Sequence, residues 1–256
     1  MLYCGICTRL CSVRAAGAFC VKIFCRIRAW RRALNRKIGD GMYYSVKGLV
    51  LKSGVYSESD KLITVYSYEW GKFQAIVPGA KKVKAKLASA TEPLTESEFM
   101  VLLKHPSMRP RITGASIVNN NTPVKTDFKR TVYALYAAEI SDKFAPANME
   151  NAEKYGLIVR VWHLLGSCLC PQRILLSFAL RFLKLSGYGF SDYLKNSGSL
   201  IDEESARGIR KFSNCSGDEA DKICDFDDNK IWNYVEAYIT NYIKRPSVSV
   251  FLKKLG

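Results

Sequence analysis

The spacing of apolar residues changes near residue 122, and this change limits the fold more than any other feature of the chain. From Tyr43 to about Val118 the apolar runs are short, rich in β-branched and aromatic residues, and separated by turn residues, which is typical of strands. After Thr122-Pro123 the apolar residues recur at helical spacing. The sequence therefore predicts an α+β fold in which a strand-rich part precedes an all-α part.

The strand-rich part contains five runs that we predict to be β-strands. Trp70-Gly71-Lys72 lies between the second and third runs and predicts a tight connection. Five short strands favour a closed barrel, because closure removes exposed strand edges. An OB-fold, the oligonucleotide-binding barrel, is the commonest five-stranded solution, and an SH3-like barrel is the alternative that strand counting leaves open. The predicted strands span 45–53, 61–68, 72–78, 97–104 and 111–118.

The second part predicts a helical domain. Its segment 173–186 is apolar on nearly every side, which is typical of a helix at the centre of a bundle. Gly187 and Gly189 mark the end of this helix. The predicted helices span 126–143, 150–168, 173–186 and 229–244, with shorter ones near 202–208 and 247–255.

Residues 1–41 differ from the rest of the chain in charge and cysteine content. They contain nine basic residues, one acidic residue and five of the nine cysteines. Arg14 and Lys22 interrupt the apolar centre that a secretory signal needs, and the cysteine spacing matches no common zinc pattern. We therefore interpret 1–41 as a basic, cysteine-rich extension that is disordered or non-native, with translation starting at Met42.

The chain is strongly basic, with 39 Lys and Arg against 23 Asp and Glu and a formal net charge of +16. Such an excess indicates a polyanionic partner, either nucleic acid or an anionic membrane surface. No apolar run is long enough to predict a membrane-spanning helix. The densest basic feature is a lysine run formed by Lys81, Lys82, Lys84 and Lys86. Lysine is a mobile point charge that suits phosphate neutralisation, although a solvated loop is the alternative reading.

The sequence offers no constellation for catalysis or metal binding. It has neither a phosphate-binding loop nor a nucleophile elbow. The two histidines, His105 and His163, have no Cys, His or carboxylate at ligand spacing. Cys168, Cys170, Cys215 and Cys224 are interpreted as reduced thiols, with a four-cysteine zinc site as an alternative that their spacing does not favour. We predict no catalytic residue, no metal site and no cofactor.

Several segments, taken in order, resemble the bacterial RecO family of recombination mediators and strand-annealing proteins. The resemblance extends over roughly 42–256 and leaves the basic extension outside, which supports a start at Met42. Its segments are 47–53, 56–62, 70–72, 77–82 and 87–93 in the first part, and 176–189 and 245–252 in the second.

The resemblance implies an OB-fold domain at 42–121 and a helical domain at 122–256. It further implies a cytoplasmic, nucleoid-associated protein that binds single- and double-stranded DNA, anneals complementary strands and helps to load RecA onto DNA coated by single-strand-binding protein (SSB). RecR and the acidic C-terminal tail of SSB would be protein partners, with no membrane involved. The basic barrel positions that match the family are Lys47, Lys52, Lys61, Lys72, Lys81, Lys82 and Lys86, and the lysine run adds Lys84.

This chain departs from the family pattern at two places. Many relatives carry paired cysteines after the Gly-Tyr element and bind zinc there, but 193–198 contains no cysteine, so we expect no zinc. The family binds the SSB tail with an arginine near the start of the central helix, where this chain has Leu176 and Ser177. Arg173 and Arg181 are the candidate substitutes. A protein-interaction adaptor, whose barrel is a scaffold that does not bind DNA, is the competing hypothesis.

Overall fold

A computed structural model describes residues 41–80, 87–105, 108–190, 201–243 and 248 of the 256-residue chain. Five strands come first, β1 to β5, and they span Met42–Val55, Lys61–Ser67, Gly71–Val77, Glu96–Leu103 and Arg111–Asn119. The described α-helices follow as α1 to α7, and they span Thr122–Lys125, Phe128–Phe144, Ala152–Leu165, Pro171–Leu185, Glu203–Asn214, Gly217–Ala220 and Asp228–Tyr242. The predicted α+β fold with strands before helices is confirmed.

The five strands close into a barrel in the order β1-β2-β3-β5-β4. β1 pairs antiparallel with β4 through its first half and with β2 through its second half. A register shift between Val50 and Lys52 bends β1 where it passes from one partner to the other. β3 and β5 pair in parallel and meet only at Ile76 and Arg111. This order, with a partly open wall between β3 and β5, is that of an OB-fold and confirms the predicted barrel.

The barrel and the helices bury two apolar cores that meet on one outer face of the barrel. Inside the barrel, Val50, Val65 and Phe73 are buried across β1, β2 and β3. The outward-facing Leu49 and Tyr66 belong instead to the core of the helical part. Because residues of a strand alternate between its two faces, one stretch of β1 and β2 contributes to both cores.

Helix α4 is the central helix, as its apolar sequence predicted. It contacts α2, α3, α5, α6 and α7, and its Leu175, Phe182 and Leu183 are fully buried. Asp221 holds the segment directly before this helix, because its carboxylate accepts the main-chain N–H groups of Leu169 and Cys170 at 2.9 and 2.7 Å. These bonds give partners to two main-chain donors in the connection that leads into the helix.

The structure differs from the sequence prediction in the second half of the chain. The short helix predicted at 202–208 extends to Asn214, and α1 and α6 were not predicted. All but the last residue of the extension predicted at 1–41 lies outside the described residues, as does nearly all of the helix predicted at 247–255. In the described parts of the chain, no helix is both long and apolar enough to cross a membrane.

Candidate nucleic-acid interface

A groove of about 730 Å³ opens along the edge of β3 that faces away from β2. Among the residues that the structure describes, this edge is paired at two points. Near the start of β3, the Lys72 carbonyl accepts the N–H of Asn148 at 2.8 Å, and near its end Ile76 donates to the Pro110 carbonyl at 2.9 Å. The barrel wall is open between these two points, because the β3–β5 pairing does not extend past Ile76 and Arg111.

Aromatic side chains form the barrel side of the groove. The rings of Tyr44 and Trp70 meet edge to face with centroids 5.2 Å apart, and Trp70 makes the same kind of contact with Phe73. Phe73 is buried in the barrel core, whereas Tyr44 and Trp70 are only partly buried. The tight connection between β2 and β3, which the sequence predicted, places Trp70 at the groove because it lies directly before Gly71, where β3 begins.

The four described lysines of the predicted site do not form a single cluster. Lys52 is exposed and stands in register with Thr64 on β2, which in turn stands opposite Gln74 on β3. Lys61 lies at the start of β2 and has the strand parity of the barrel interior. Neither Lys52 nor Lys61 forms an ion pair with a residue that the structure describes.

The other two described lysines are already paired within the chain. Lys47 lies 2.9 Å from Oε1 of Glu96, an oxygen that also accepts the hydroxyl of Tyr155 at 2.8 Å. Burial, together with the nearby Glu96 carboxylate, raises the pKa of Tyr155, so its hydroxyl stays protonated and donates. Lys72 donates to the Asp142 carbonyl and lies 3.6 Å from its carboxylate, and only 18% of its side chain is exposed. The Lys72 pair therefore also connects the barrel to the helical part, whereas Lys47 pairs within the barrel and meets the helical part only through the Glu96 oxygen that it shares with Tyr155.

One end of the barrel brings Lys61 close to the segment that leads into the lysine run, because Lys61 stands in register with Val77. Asp60, in the β1–β2 loop, accepts the N–H of Gly79 at 2.9 Å, and this bond is the main cause of its lowered pKa. The bond fixes the β1–β2 loop to Gly79, two residues before the lysine run begins. The four lysines of that run (Lys81, Lys82, Lys84 and Lys86) lie outside the described residues, and Lys61 directly follows Asp60.

Two arginines that we did not predict from the sequence stand at the same end. Arg109 lies over the Tyr56 ring, 6.0 Å from its centroid, and also lines the groove. Arg111 is exposed at the start of β5 and is close enough to Asp60 to help lower its pKa. The signal that would have found them is Arg109-Pro-Arg111 in the connection between the fourth and fifth strands. The β1–β2 and β4–β5 loops and the β2–β3 face are the surfaces with which OB-folds bind oligonucleotides.

In the helical part, the structure separates the two arginines proposed for the SSB tail. Nε of Arg173 lies 2.6 Å from the carboxylate of Asp228, and its guanidinium also contacts Cys224. Arg181 instead lines a shallow apolar groove between α3 and α4, beside Leu157, Leu164 and Phe178. Arg160, which we did not predict, lines the same groove and contacts Asp218. Only Arg181 combines a position in this groove with the absence of an ion pair to any described carboxylate.

The described cysteines and histidines form no metal-binding group. Cys168, Cys170, Cys215 and Cys224 are free thiols, and burial raises the pKa of the Cys168 thiol to about 11. His163 is exposed on α3. Within the ranges that the structure covers, no three His, Cys, Asp or Glu side chains converge so that they could hold a metal ion.

Two family models match this chain. "Recombination protein O N terminal" matches residues 42–121, which include the whole barrel, and "Recombination protein O C terminal" matches residues 125–191, from the end of α1 past the central helix. The two matches together extend over more than half of the chain.

Curated proteins named "DNA repair protein RecO" are similar to a large part of this chain. The protein of Moorella thermoacetica is 33% identical over 144 residues, which are 56% of this chain and 53% of that protein. The proteins of Bacillus mycoides and Bacillus cereus are each 26% identical over 146 residues, which are 57% of this chain and 58% of theirs. The chain spans little more than half the length of these relatives.

Proposed function

The chain belongs to the RecO family, and from this premise we propose that it is a DNA repair and recombination protein that binds single- and double-stranded DNA and anneals complementary strands. We further propose that it helps to load RecA onto SSB-coated DNA and that RecR is a partner. In this proposal 42–121 is the DNA-binding domain and 122–256 is the helical domain that binds proteins. The proposed place of action is the cytoplasm, at the nucleoid.

The observation that carries the proposal is the barrel end formed by the β1–β2 loop, Gly79 and the β4–β5 connection. Lys61, Arg109 and Arg111 stand there, and the lysine run starts two residues after Gly79. Such a concentration of cations beside partly exposed aromatic rings suits a strand whose phosphates need neutralising and whose bases can stack. Lys52 extends the basic surface along β1, whereas Lys47 and Lys72 contribute less because Glu96 and Asp142 already neutralise them.

The proposed mechanism is electrostatic. Two complementary strands repel each other through their phosphates, and cations displayed on one surface reduce that repulsion. Base pairing then proceeds between strands that are held close together. Since the protein makes and breaks no covalent bond in this mechanism, we propose that it is not an enzyme and that annealing requires neither ATP nor a cofactor.

Salt-titrated binding of a single-stranded oligonucleotide to the full chain tests the proposal. A logarithmic plot of affinity against salt should have a slope of about −3 if the four lysines of the run make the contacts, and about −5 if Lys61, Arg109 and Arg111 join them. Annealing of complementary oligonucleotides without ATP should weaken over the same range of salt. Absence of binding at about 50 mM salt, with RecR binding retained, would reject this function in favour of the adaptor hypothesis.

We propose that the acidic SSB tail binds the shallow groove between α3 and α4, with Arg181 as its cationic contact. Leu164 is partly exposed in the same groove and would give the tail an apolar contact beside Arg181. Reversing the charge with Arg181→Glu should lower the affinity for a synthetic SSB-tail peptide about tenfold or more, as truncating an interfacial charge pair does. Isothermal titration calorimetry measures this change.

Two variants control this test. Lys184→Glu reverses an exposed charge on the same helix and should leave peptide affinity almost unchanged. Arg173→Glu places two carboxylates together at Asp228. It should lower the thermal midpoint of unfolding and leave the peptide affinity of the folded protein almost unchanged. Equal affinities of the Arg181→Glu protein and the unaltered protein would remove Arg181 from the proposed tail site.

A further inference from the structure

The open edge of β3 leaves the main chain of Gln74 without a partner in the described part of the chain. Lys72 and Ile76 direct their main-chain polar groups away from β2, as their bonds to Asn148 and Pro110 demonstrate. Because these groups point to the same side at every second residue of a strand, Gln74 directs its N–H and its carbonyl into the groove midway between them. Main-chain groups of this kind usually have a partner, and here the groove offers one donor and one acceptor side by side.

The surroundings of these two groups suit a planar, polar-edged ligand. Trp70 and Tyr44 present partly exposed rings on the barrel side. The side chain of Gln74 is exposed in the groove and adds an amide donor and acceptor. Arg109 lines the groove and also lies over the Tyr56 ring, so the groove is continuous with the basic end of the barrel.

The groove is completed by the helical part of the chain. Asp142, at the end of α2, holds Lys72, and the N–H of Asn148 in the α2–α3 connection bonds to the main chain of β3. A volume of about 730 Å³ lies within the range of small-ligand sites. The groove can therefore receive individual bases, whereas a duplex is too wide for it and its base edges are already paired.

We infer that this groove binds unpaired nucleobases of single-stranded DNA, stacked against Trp70 and hydrogen-bonded to the main chain of Gln74. The inference rests on the proposed DNA-binding function and adds selectivity to it. Cations at the barrel end attract any phosphate backbone, but only a single strand offers bases to the groove. A strand that has found its complement loses this contact, so annealing itself weakens the hold on the product.

Binding of three probes to the full chain tests the inference. The probes are an oligo(dT), an abasic deoxyribose-phosphate oligomer of equal length, and a blunt duplex, each measured by fluorescence anisotropy. The unaltered protein should prefer oligo(dT) to the abasic oligomer about tenfold, because stacking on aromatic rings favours strands that carry bases. Trp70→Ala should lower oligo(dT) affinity roughly 5- to 100-fold and change affinity for the other two probes less than twofold. Phe128→Ala removes an aromatic ring that is 66% exposed outside the groove and should change none of the three.

Two further variants keep the test decisive if Trp70→Ala fails to fold. Trp70→Phe retains a ring against Tyr44 and Phe73 and should reduce the preference for oligo(dT) by a smaller factor in the same direction. Gln74→Pro removes the main-chain N–H that Gln74 directs into the groove, which a strand tolerates where this group has no ladder partner, and should also lower only oligo(dT) affinity. Equal losses on all three probes, or no loss with oligo(dT), would overturn the inference while leaving DNA binding in place. An unaltered protein that binds none of the probes would reject the proposed function itself.

Discussion

Gly71→Ala is expected to destabilise the protein by about 2 to 5 kcal/mol, the sum of a left-handed backbone cost and an overpacking cost. Gly71 has a φ of +64°, which residues with a side chain rarely adopt, and a Cβ placed on it would lie 2.0 Å from the main-chain oxygen of Met149. The chain packs this closely because β3 begins where the α2–α3 connection crosses it. Thermal unfolding followed by circular dichroism measures the loss.

Two other glycines separate the contributions to this effect. Gly187 has a φ of +85° and nothing near its Cβ position, so Gly187→Ala should cost only about 1 kcal/mol of backbone strain. Gly156 lies within α3 with open space around it, so Gly156→Ala should stabilise the protein by about 0.5–1 kcal/mol. A loss at Gly71 no greater than that at Gly187 would show that the α2–α3 connection does not pack against β3 as described.

Replacing all four lysines of the run, Lys81, Lys82, Lys84 and Lys86, by glutamate should weaken single-strand binding on the order of 100-fold at about 50 mM salt. The salt dependence should fall as well, by about 3 units of the logarithmic slope, because four phosphate contacts are lost. Annealing should slow in parallel, since the same contacts reduce the repulsion between strands. Anisotropy titrations at several salt concentrations measure both quantities.

A matched variant separates local contacts from overall charge. Lys129, Lys143, Lys184 and Lys222 are exposed in the helical part. Changing these four lysines to glutamate lowers the net charge by the same eight units, from +16 to +8. This variant should keep most of the slope and most of the annealing activity. If the two variants weaken binding equally, net charge rather than the lysine run governs binding, and the assignment of the run as a contact surface is wrong.

Much of the fold could be predicted from the sequence because burial of one face of an element produces a periodic pattern of apolar residues. A strand with one face in a core alternates every second residue, and a helix repeats every 3.6 residues. The five strands and the central helix α4 were predicted for this reason. Phe128 shows the limit of such patterns: it shares a helical face with Val132 and Tyr136, yet it is exposed whereas those two are buried, because a pattern does not tell how far a neighbouring element extends.

The candidate site was less predictable, because charge pairing depends on residues that are distant in the sequence. Lys72 and Asp142 are 70 positions apart, and Arg173 and Asp228 are 55 apart. From the sequence alone, Lys72 and Arg173 are as good candidates for binding an anion as Lys52 and Arg181. The structure separates them, because Lys52 and Arg181 form no ion pair with a described residue. Arg109 and Arg111 were not predicted because two arginines separated by one residue form no basic run. Their role becomes visible only in the structure, where Arg111 lies near Asp60 and Arg109 lies over the Tyr56 ring.

The amino-acid sequence by itself determined the order of strands and helices, the central helix and the basic character of the chain, because each follows from spacing and composition along the polymer. The tertiary structure alone decided which of the described cations have an ion-pair partner, where the β3 edge stays open, and that Trp70, Gln74 and Arg109 line one groove. Barrel closure brings together residues whose separation in the sequence carries no signal. An unsatisfied charge or main-chain group is a property of that three-dimensional neighbourhood.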